Sequence, residues 1–89
     1  MPQVHIPSVY RVPTKGEARI EVDAGTVKAC IEAVEDRYPG FLELIFNAKG
    51  ELHLFSKLSL NGDLLDRDAL DTPVSSDDTI AVLAPAAGG

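Results

Sequence analysis

The chain is short of cysteine, of basic residues and of long apolar runs. Its one cysteine, Cys30, cannot form an intrachain disulfide, which suits a reducing compartment. Only 8 lysine and arginine residues stand against 14 acidic ones, and the net charge of −6 disfavours contact with nucleic-acid phosphates. No apolar run approaches the roughly 20 residues that cross a bilayer, and the amino-terminal residues lack the features of a signal peptide. We expect a cytoplasmic protein that binds neither nucleic acid nor membrane.

The composition is that of an ordinary folded domain. Hydrophobic residues make up 45% of the 89 residues and charged residues 25%. A chain of this length buries only roughly 60–65% of the surface of its unfolded form, so it has one modest core and little room for a deep catalytic cavity. We expect a single domain that is a monomer on its own.

Apolar periodicity predicts four strands and one main helix. Alternation favours strands over 3–9, 17–23, 54–60 and 79–83, and Asn61-Gly62 is a strong signal for a tight turn. One helical stripe runs from Val27 to Tyr38, with Thr26 as the N-cap and Pro39-Gly40 at the end. A short helical turn follows at 41–46, and 63–78 reads as a long, acidic, irregular connection.

This order of elements predicts an α+β fold of the β-grasp (ubiquitin-like) class. A mixed sheet of four to five strands would carry the helix across one face, with the first and last strands side by side in the middle. We expect Leu58, Leu60, Ile80 and Val82 to face the helix. The predicted domain covers residues 1–83, and residues 84–89 form a flexible carboxyl-terminal tail.

The residue types that usually catalyse reactions or bind metals do not form a convincing site. Cys30 lies on the apolar stripe of the helix, where a cysteine behaves as a small buried hydrophobe. His5 and His53 have no second ligand at a metal-binding spacing. The aspartates of the 63–78 connection lack the glycine and terminal glutamate of a calcium loop. We therefore expect neither a bound metal or cofactor nor an autonomous enzyme.

The tail, APAAGG, remains as the candidate reactive segment. Six extended residues reach roughly 20 Å, which is enough to enter the active site of a partner. Pro85 stops the last strand, while small side chains from Ala86 to Gly89 suit a narrow tunnel. We take Gly89 as the carboxyl terminus, whose carboxylate, with a pKa of about 3.5, is anionic and needs activation by ATP. The alternative is a frayed terminus without a function.

The sequence resembles the ubiquitin-like sulfur carriers, which include the molybdopterin-synthase small subunit, the thiamin-pathway carrier and the cysteine-pathway carrier. The resemblance rests on HIPSVYR, LHLFSKLSLNGD, SSDDTIAVLAP and the terminal PAAGG, and in detail it is nearest to the cysteine-pathway carrier. Ser76-Asp77-Asp78 in place of Asp-Gly-Asp, and Ala84 between Leu83 and Pro85, depart from the family pattern. Both departures lie outside the Gly-Gly end.

This resemblance implies that an E1-like adenylyltransferase/sulfurtransferase uses ATP and Mg²⁺ to adenylate Gly89. Sulfide or a persulfide then displaces AMP, and the resulting thiocarboxylate donates sulfur on a second enzyme, a sulfur-accepting synthase. The product would be cysteine, molybdopterin, thiamin or a thio-metabolite. Gly88, Ala87, Ala86 and Pro85 would line the path of the tail into the partner.

A docking patch is also expected beside the tail. The strand alternation leaves Phe55 and Leu83 on the face away from the helix, where they would contact the activating partner. The net charge of −6 would favour a basic rim on that partner. Two other functions stay open from the residues alone: a ubiquitin-like modifier conjugated through Gly89, and a β-grasp interaction module with an idle tail.

Overall fold

The computed structural model describes residues 1–53 and 56–84, which form a mixed five-stranded sheet with helices on one face. The strands are β1 (Gln3–His5), β2 (Arg19–Glu21), β3 (Lys57–Leu60), β4 (Asp63–Leu64) and β5 (Thr79–Leu83). The helices are α1 (Val27–Arg37), α2 (Leu42–Ile45) and a 3₁₀ turn at Ser8–Tyr10.

The strand order is β2-β1-β5-β3-β4. The first and last strands run parallel in the middle, with Val4 opposite Ile80, while β3 pairs antiparallel with β5 and places Leu58 opposite Val82. Every other neighbouring pair is antiparallel. The predicted β-grasp arrangement, with the first and last strands side by side, is confirmed.

The core lies between α1 and one face of the sheet. On α1 the buried positions are Val27, Cys30, Ile31 and Val34, and on the sheet they include Val4, Ile20, Leu58, Ile80 and Val82. The hydroxyl oxygen of Thr26 accepts a hydrogen bond from the Ala29 N–H at 3.1 Å, as predicted for the N-cap. Phe41 and Ile45, at and within α2, close the core at one side with no exposed surface.

The first strand is shorter than predicted. Alternation continues to Val9 in the sequence, but β1 ends at His5 and a 3₁₀ turn begins at Ser8. Pro7, which has no N–H to donate, lies between them and takes an extended backbone as the N-cap of that turn. Val9 therefore lies outside the sheet.

The prediction of an irregular segment from Asp63 onward is also wrong at its start. Asn61 and Gly62 have positive φ angles of 52° and 89°, the combination used by tight hairpin turns that match strand twist. The chain therefore reverses, and Asp63 pairs with Leu60 as the start of β4. Among residues 1–53 and 56–84, no helix is long and apolar enough to cross a membrane.

Candidate functional site

The candidate site is the end of the sheet from which the chain continues toward Gly89. We call it the tail end: β1 and β5 finish there, and β2 and β3 begin there. The opposite end, with the turns at 61–62 and 75–78, is the turn end. Leu83, the last residue of β5, pairs with Lys57 on β3, which positions it where the chain leaves the sheet.

Several predicted site residues lie outside the part of the chain that the structure describes. These are Phe55, Pro85, Ala86, Ala87, Gly88 and Gly89. Their roles, and the boundary between the domain and a flexible tail, stay predictions.

Leu83 lies on the face that was predicted for it. It is 38% exposed, it pairs with exposed Lys57 on β3, and it alternates with Val82, which is buried under the helix. Leu58, Ile80 and Val82 are at most 3% exposed, so their predicted contact with the helical layer is confirmed. Leu60 is only partly buried and packs at the margin of the core.

We call the face away from the helices the open face, and its side chains are mostly polar. Alternation along the strands places on it Gln3, His5, Arg19, Glu21, Lys57, Ser59, Thr79 and Ala81, together with Leu64 and Leu83. His5, Ala81, Ser59 and Leu64 follow one another across four strands. Leu83 thus interrupts a polar surface next to the tail.

A second feature of the tail end was missed in the sequence. Residues 8–16, which we call the braced loop, comprise the 3₁₀ turn and the segment that leads toward β2, and they hold Val9 and Val12 outside the core. Val9 is 60% exposed and Val12 is 88% exposed. The sequence signalled a turn here through its prolines and glycine, but the alternation that ends in Val9 pointed to a strand.

Several hydrogen bonds fix the braced loop. The Arg11 Nε–H donates to the Ile6 carbonyl at 2.8 Å, and the Gly16 N–H donates to the Arg11 carbonyl at 2.9 Å. The buried Thr14 hydroxyl donates to the Glu17 carbonyl at 3.0 Å. Lys15 and Gly16 both take positive φ angles, which lets the chain turn sharply into β2. The two valines are therefore presented from an ordered backbone.

On the other side of the tail end, Arg67 ties two segments of the chain together. Its guanidinium donates to the Ser56 carbonyl at 3.1 Å and to the His53 carbonyl at 2.9 Å, and it also bonds the Leu52 carbonyl. These carbonyls lie on both sides of positions 54 and 55. No local sequence pattern reveals this contact, because its partners are more than ten residues away.

The side chains that were weighed as catalysts or ligands behave as structural groups. Cys30 has no exposed surface, and burial raises the pKa of its thiol, which disfavours the reactive thiolate. His5 Nε2 lies 3.2 Å from the side-chain oxygen of Gln3, and His53 Nε2 donates to the Glu43 carbonyl at 2.8 Å. In the described parts of the chain, no three His, Cys, Asp or Glu side chains could hold a metal ion together.

At the turn end, polar side chains hydrogen-bond to one another and to the backbone. The Asn61 side-chain amide donates to Asp78 at 2.9 Å and accepts from the Thr79 N–H at 2.9 Å. The other Asp78 oxygen accepts from the Ser75 N–H at 2.8 Å. These hydrogen bonds, chiefly the one from Asn61, lower the pKa of Asp78. Polar side chains here bond one another and join β3 to β5.

Comparison with known families identifies the chain. The profile of the ThiS family matches residues 4–89, which covers the sheet, the helices and the tail. The chain belongs to the ThiS family, and the resemblance to the ubiquitin-like sulfur carriers that the sequence indicated is confirmed.

Individual relatives match the chain over all or nearly all of its length. The sulfur carrier protein CysO of Mycobacterium tuberculosis H37Rv is 29% identical over 89 residues, which are 97% of this chain and 96% of that protein. A chain in the crystal structure of the Amycolatopsis orientalis BexX/CysO complex is 30% identical, with a TM-score of 0.87 and complete coverage of both chains. SAMP1 from Haloferax volcanii has a TM-score of 0.78 over 99% of this chain and 98% of its own, and at 22% identity it shows the shared fold alone.

Proposed function

We propose that this protein is a sulfur carrier, a protein cosubstrate whose reactive group is the carboxylate of Gly89. The observation that carries the proposal is the family match, which runs through the last residue and so includes the Gly-Gly end. Relatives that match almost the whole chain at 29% identity are themselves sulfur carrier proteins. Sulfur would be carried covalently as a thiocarboxylate.

The chemistry needs activation because a carboxylate anion repels nucleophiles. A partner enzyme transfers AMP from ATP, with Mg²⁺, to the Gly89 carboxylate and releases pyrophosphate. Sulfide attacks the acyl carbon and the bond to AMP breaks, so that one oxygen of the carboxylate is replaced by sulfur. If a persulfide attacks instead, AMP leaves and an acyl disulfide forms; a partner thiol then attacks the distal sulfur, which forms a new disulfide and releases the thiocarboxylate. The thiocarboxylate then donates this sulfur to the substrate of an acceptor enzyme.

The folded body supplies binding and position, while the partners supply catalysis. Leu83 and Lys57 stand beside the point where the tail leaves the sheet, so the surface that meets the partner is continuous with the reactive segment. We assign Leu83 and Phe55 to this contact, with Pro85, Ala86, Ala87 and Gly88 lining the partner's channel. Arg67 holds the chain on both sides of position 55.

Two partner proteins follow from this scheme: an E1-like enzyme that activates Gly89 and a synthase that accepts the sulfur. The CysO chain of Amycolatopsis orientalis forms a complex with BexX, which supports a stable protein partner for this chain as well. Cysteine, molybdopterin, thiamin and thio-metabolite pathways are all compatible with the same carrier chemistry.

The test is the intact mass of the protein after incubation with ATP, Mg²⁺, a sulfide source and an E1-like enzyme of the same organism. We expect a mass gain equal to the replacement of one oxygen by sulfur. A matched variant that lacks Gly89 should gain nothing, because its terminal carboxylate is displaced by one residue from the reaction centre.

Two outcomes of this experiment would contradict the proposal. No mass gain in the presence of an E1-like enzyme that loads its own known carrier would contradict the proposal. Covalent attachment of the chain to lysine residues of other proteins, without a thiocarboxylate, would replace it with a protein modifier.

A further inference from the structure

Charge and exposed apolar surface are distributed unevenly around the tail end. The stretch 11–19, which runs from the end of the 3₁₀ turn to the first residue of β2, holds three basic residues and one acidic residue, in a chain with 14 acidic and 8 basic residues overall. The basic ones are Arg11, Lys15 and Arg19. The Arg11 Nε–H donates to the Ile6 carbonyl, whereas the Lys15 and Arg19 side chains are exposed to solvent.

The turn end and the β3 side of the tail end are richer in acidic residues. Acidic residues gather at the turn end, where Glu21, Asp23, Asp63, Asp77 and Asp78 lie, and the Arg37 guanidinium donates to the Glu21 carbonyl on the β2 side. At the β3 side of the tail end, Arg67 is flanked in the chain by Asp66 and Asp68. The stretch 11–19 therefore carries an excess of positive charge beside the tail end, and exposed Lys57, next to Leu83, adds a further cation there.

The same edge carries the two valines of the braced loop. Val12 is the most exposed large hydrophobic residue in the described part of the chain, and Val9 is close behind Leu64. Hydrogen bonds made by Arg11, Thr14 and Gly16, together with the burial of Thr14, keep their backbone in place, so the valines cannot reach the core by a small adjustment. Pro13 lies beside Gly40, which follows α1.

Because β1 runs parallel to β5, the braced loop begins at the end of the sheet from which the tail emerges. A partner that receives the tail must therefore come close to this loop. An ordered loop with exposed apolar side chains and positive charge fits a complementary surface that is apolar at its centre and acidic around it.

We infer that the braced loop is a second docking element, in which Val9 and Val12 enter an apolar depression bordered by carboxylates on the enzyme that activates the tail. Lys15 and Arg19 face those carboxylates. This inference rests on the proposed function and adds to it the orientation of the carrier on the activating enzyme. The partner contacts the β2 edge of the carrier and leaves the β4 edge free.

The test compares two edges of the same sheet. Val9→Ser combined with Val12→Ser removes the apolar contact at the β2 edge, and Leu64→Ser removes an exposed leucine at the β4 edge. Both sets of positions are exposed, so thermal melting of each variant should match that of the parent. Steady-state sulfur loading, followed by intact mass, gives KM and kcat for the carrier with the E1-like enzyme.

We expect the double valine variant to raise KM roughly tenfold with kcat within about twofold, the size of effect that central apolar contacts have in interfaces. Leu64→Ser should leave both constants unchanged. Equal effects of the two changes, or an unchanged KM for the double valine variant, would overturn the docking inference while sulfur loading of the parent keeps the proposed function intact. Failure of the parent to load would overturn both.

A second pair of variants tests the charge. Lys15→Glu lies on the braced loop, and Lys49→Glu lies in an exposed turn outside it. The two changes alter the net charge equally. We expect Lys15→Glu to slow association with the E1-like enzyme several-fold at low salt, with the difference lost at high salt. Equal slowing by both variants, or faster association of Lys15→Glu, would contradict an acidic partner surface.

Discussion

The two ends of the sheet use their side chains in different ways. At the turn end, Asn61, Ser75 and Asp78 bond one another and the backbone of β5. At the tail end, Val9, Val12 and Leu83 are exposed from ordered backbone. The polar side chains of the turn end therefore stabilise the fold, whereas the exposed apolar side chains of the tail end lie outside the core. Substitutions at the two ends should separate stability from sulfur loading.

The largest expected effect comes from the core between the sheet and α1. Ile80 has no exposed surface and faces α1 from the central strand. Ile80→Ala should lower the free energy of unfolding by roughly 3–4 kcal/mol, because the cavity cannot collapse fully in a core with neighbours on every side. Urea denaturation followed by circular dichroism measures the change.

The matched change on the open face is Ala81→Ser, one residue further along the same strand. It should shift the free energy of unfolding by about 0.5 kcal/mol or less, as surface substitutions usually do. Similar losses for both variants would contradict the assignment of the two faces.

The next effect belongs to the turn end. Asn61→Ala removes two side-chain hydrogen bonds and leaves an alanine at a φ of 52°, so we expect a loss of about 2 kcal/mol in unfolding free energy. Asn61→Gly relieves the backbone strain but not the lost bonds and should fall between Asn61→Ala and the parent. Sulfur loading at a temperature where all three are folded should be the same. Slower loading of either variant would show that the two ends are coupled.

At the tail end, the expected effect is on binding. Leu83→Asp places a charge at an exposed position beside Lys57 and should raise KM for the E1-like enzyme roughly tenfold with little change in the melting temperature. Leu83→Met, which keeps an apolar side chain of similar volume, is the control and should stay within about twofold of the parent. Unchanged loading of Leu83→Asp would remove Leu83 from the interface.

The smallest effect is the pH dependence of the turn end. The folded state lowers the pKa of Asp78, so ionised Asp78 stabilises the fold above its unfolded pKa, and this contribution is lost as the pH falls through the folded pKa. Asp78→Asn should therefore differ most from the parent near neutral pH and approach it in acid. Melting temperatures from neutral pH down to about 3 measure this. A difference in melting temperature that stays constant over this pH range would contradict the role of ionised Asp78.

The fold could be predicted because its signals are local and repeated. The α1 stripe ending in Val34 and the strand alternation around Ile20, Leu58 and Ile80 each specify one buried face, and these faces fit together in one way. Asn61-Gly62 identified the hairpin turn. The two-residue strand β4 is too short for alternation to reveal, and it depends on that turn and on pairing with β3.

The contacts that were missed are hydrogen bonds between side chains and backbone groups outside their own helix or strand. Glu35 lay off the apolar stripe, yet its carboxylate accepts from the Gly40 N–H at 3.2 Å and the Leu42 N–H at 2.7 Å and so holds the start of α2. Arg67 and the braced loop are similar cases. The net charge of −6 suggested a basic surface on the partner. The distribution of the charged residues leads us instead to expect an acidic surface opposite the braced loop.

The most direct test of the central claim is to find where the sulfur resides after loading. We would digest the loaded protein and sequence the carboxyl-terminal peptide by tandem mass spectrometry, with a Cys30→Ala variant in parallel. The account predicts that the sulfur lies on Gly89 and that both proteins load equally, because Cys30 is enclosed in the core. Sulfur found on Cys30, with no loading of the alanine variant, would contradict it.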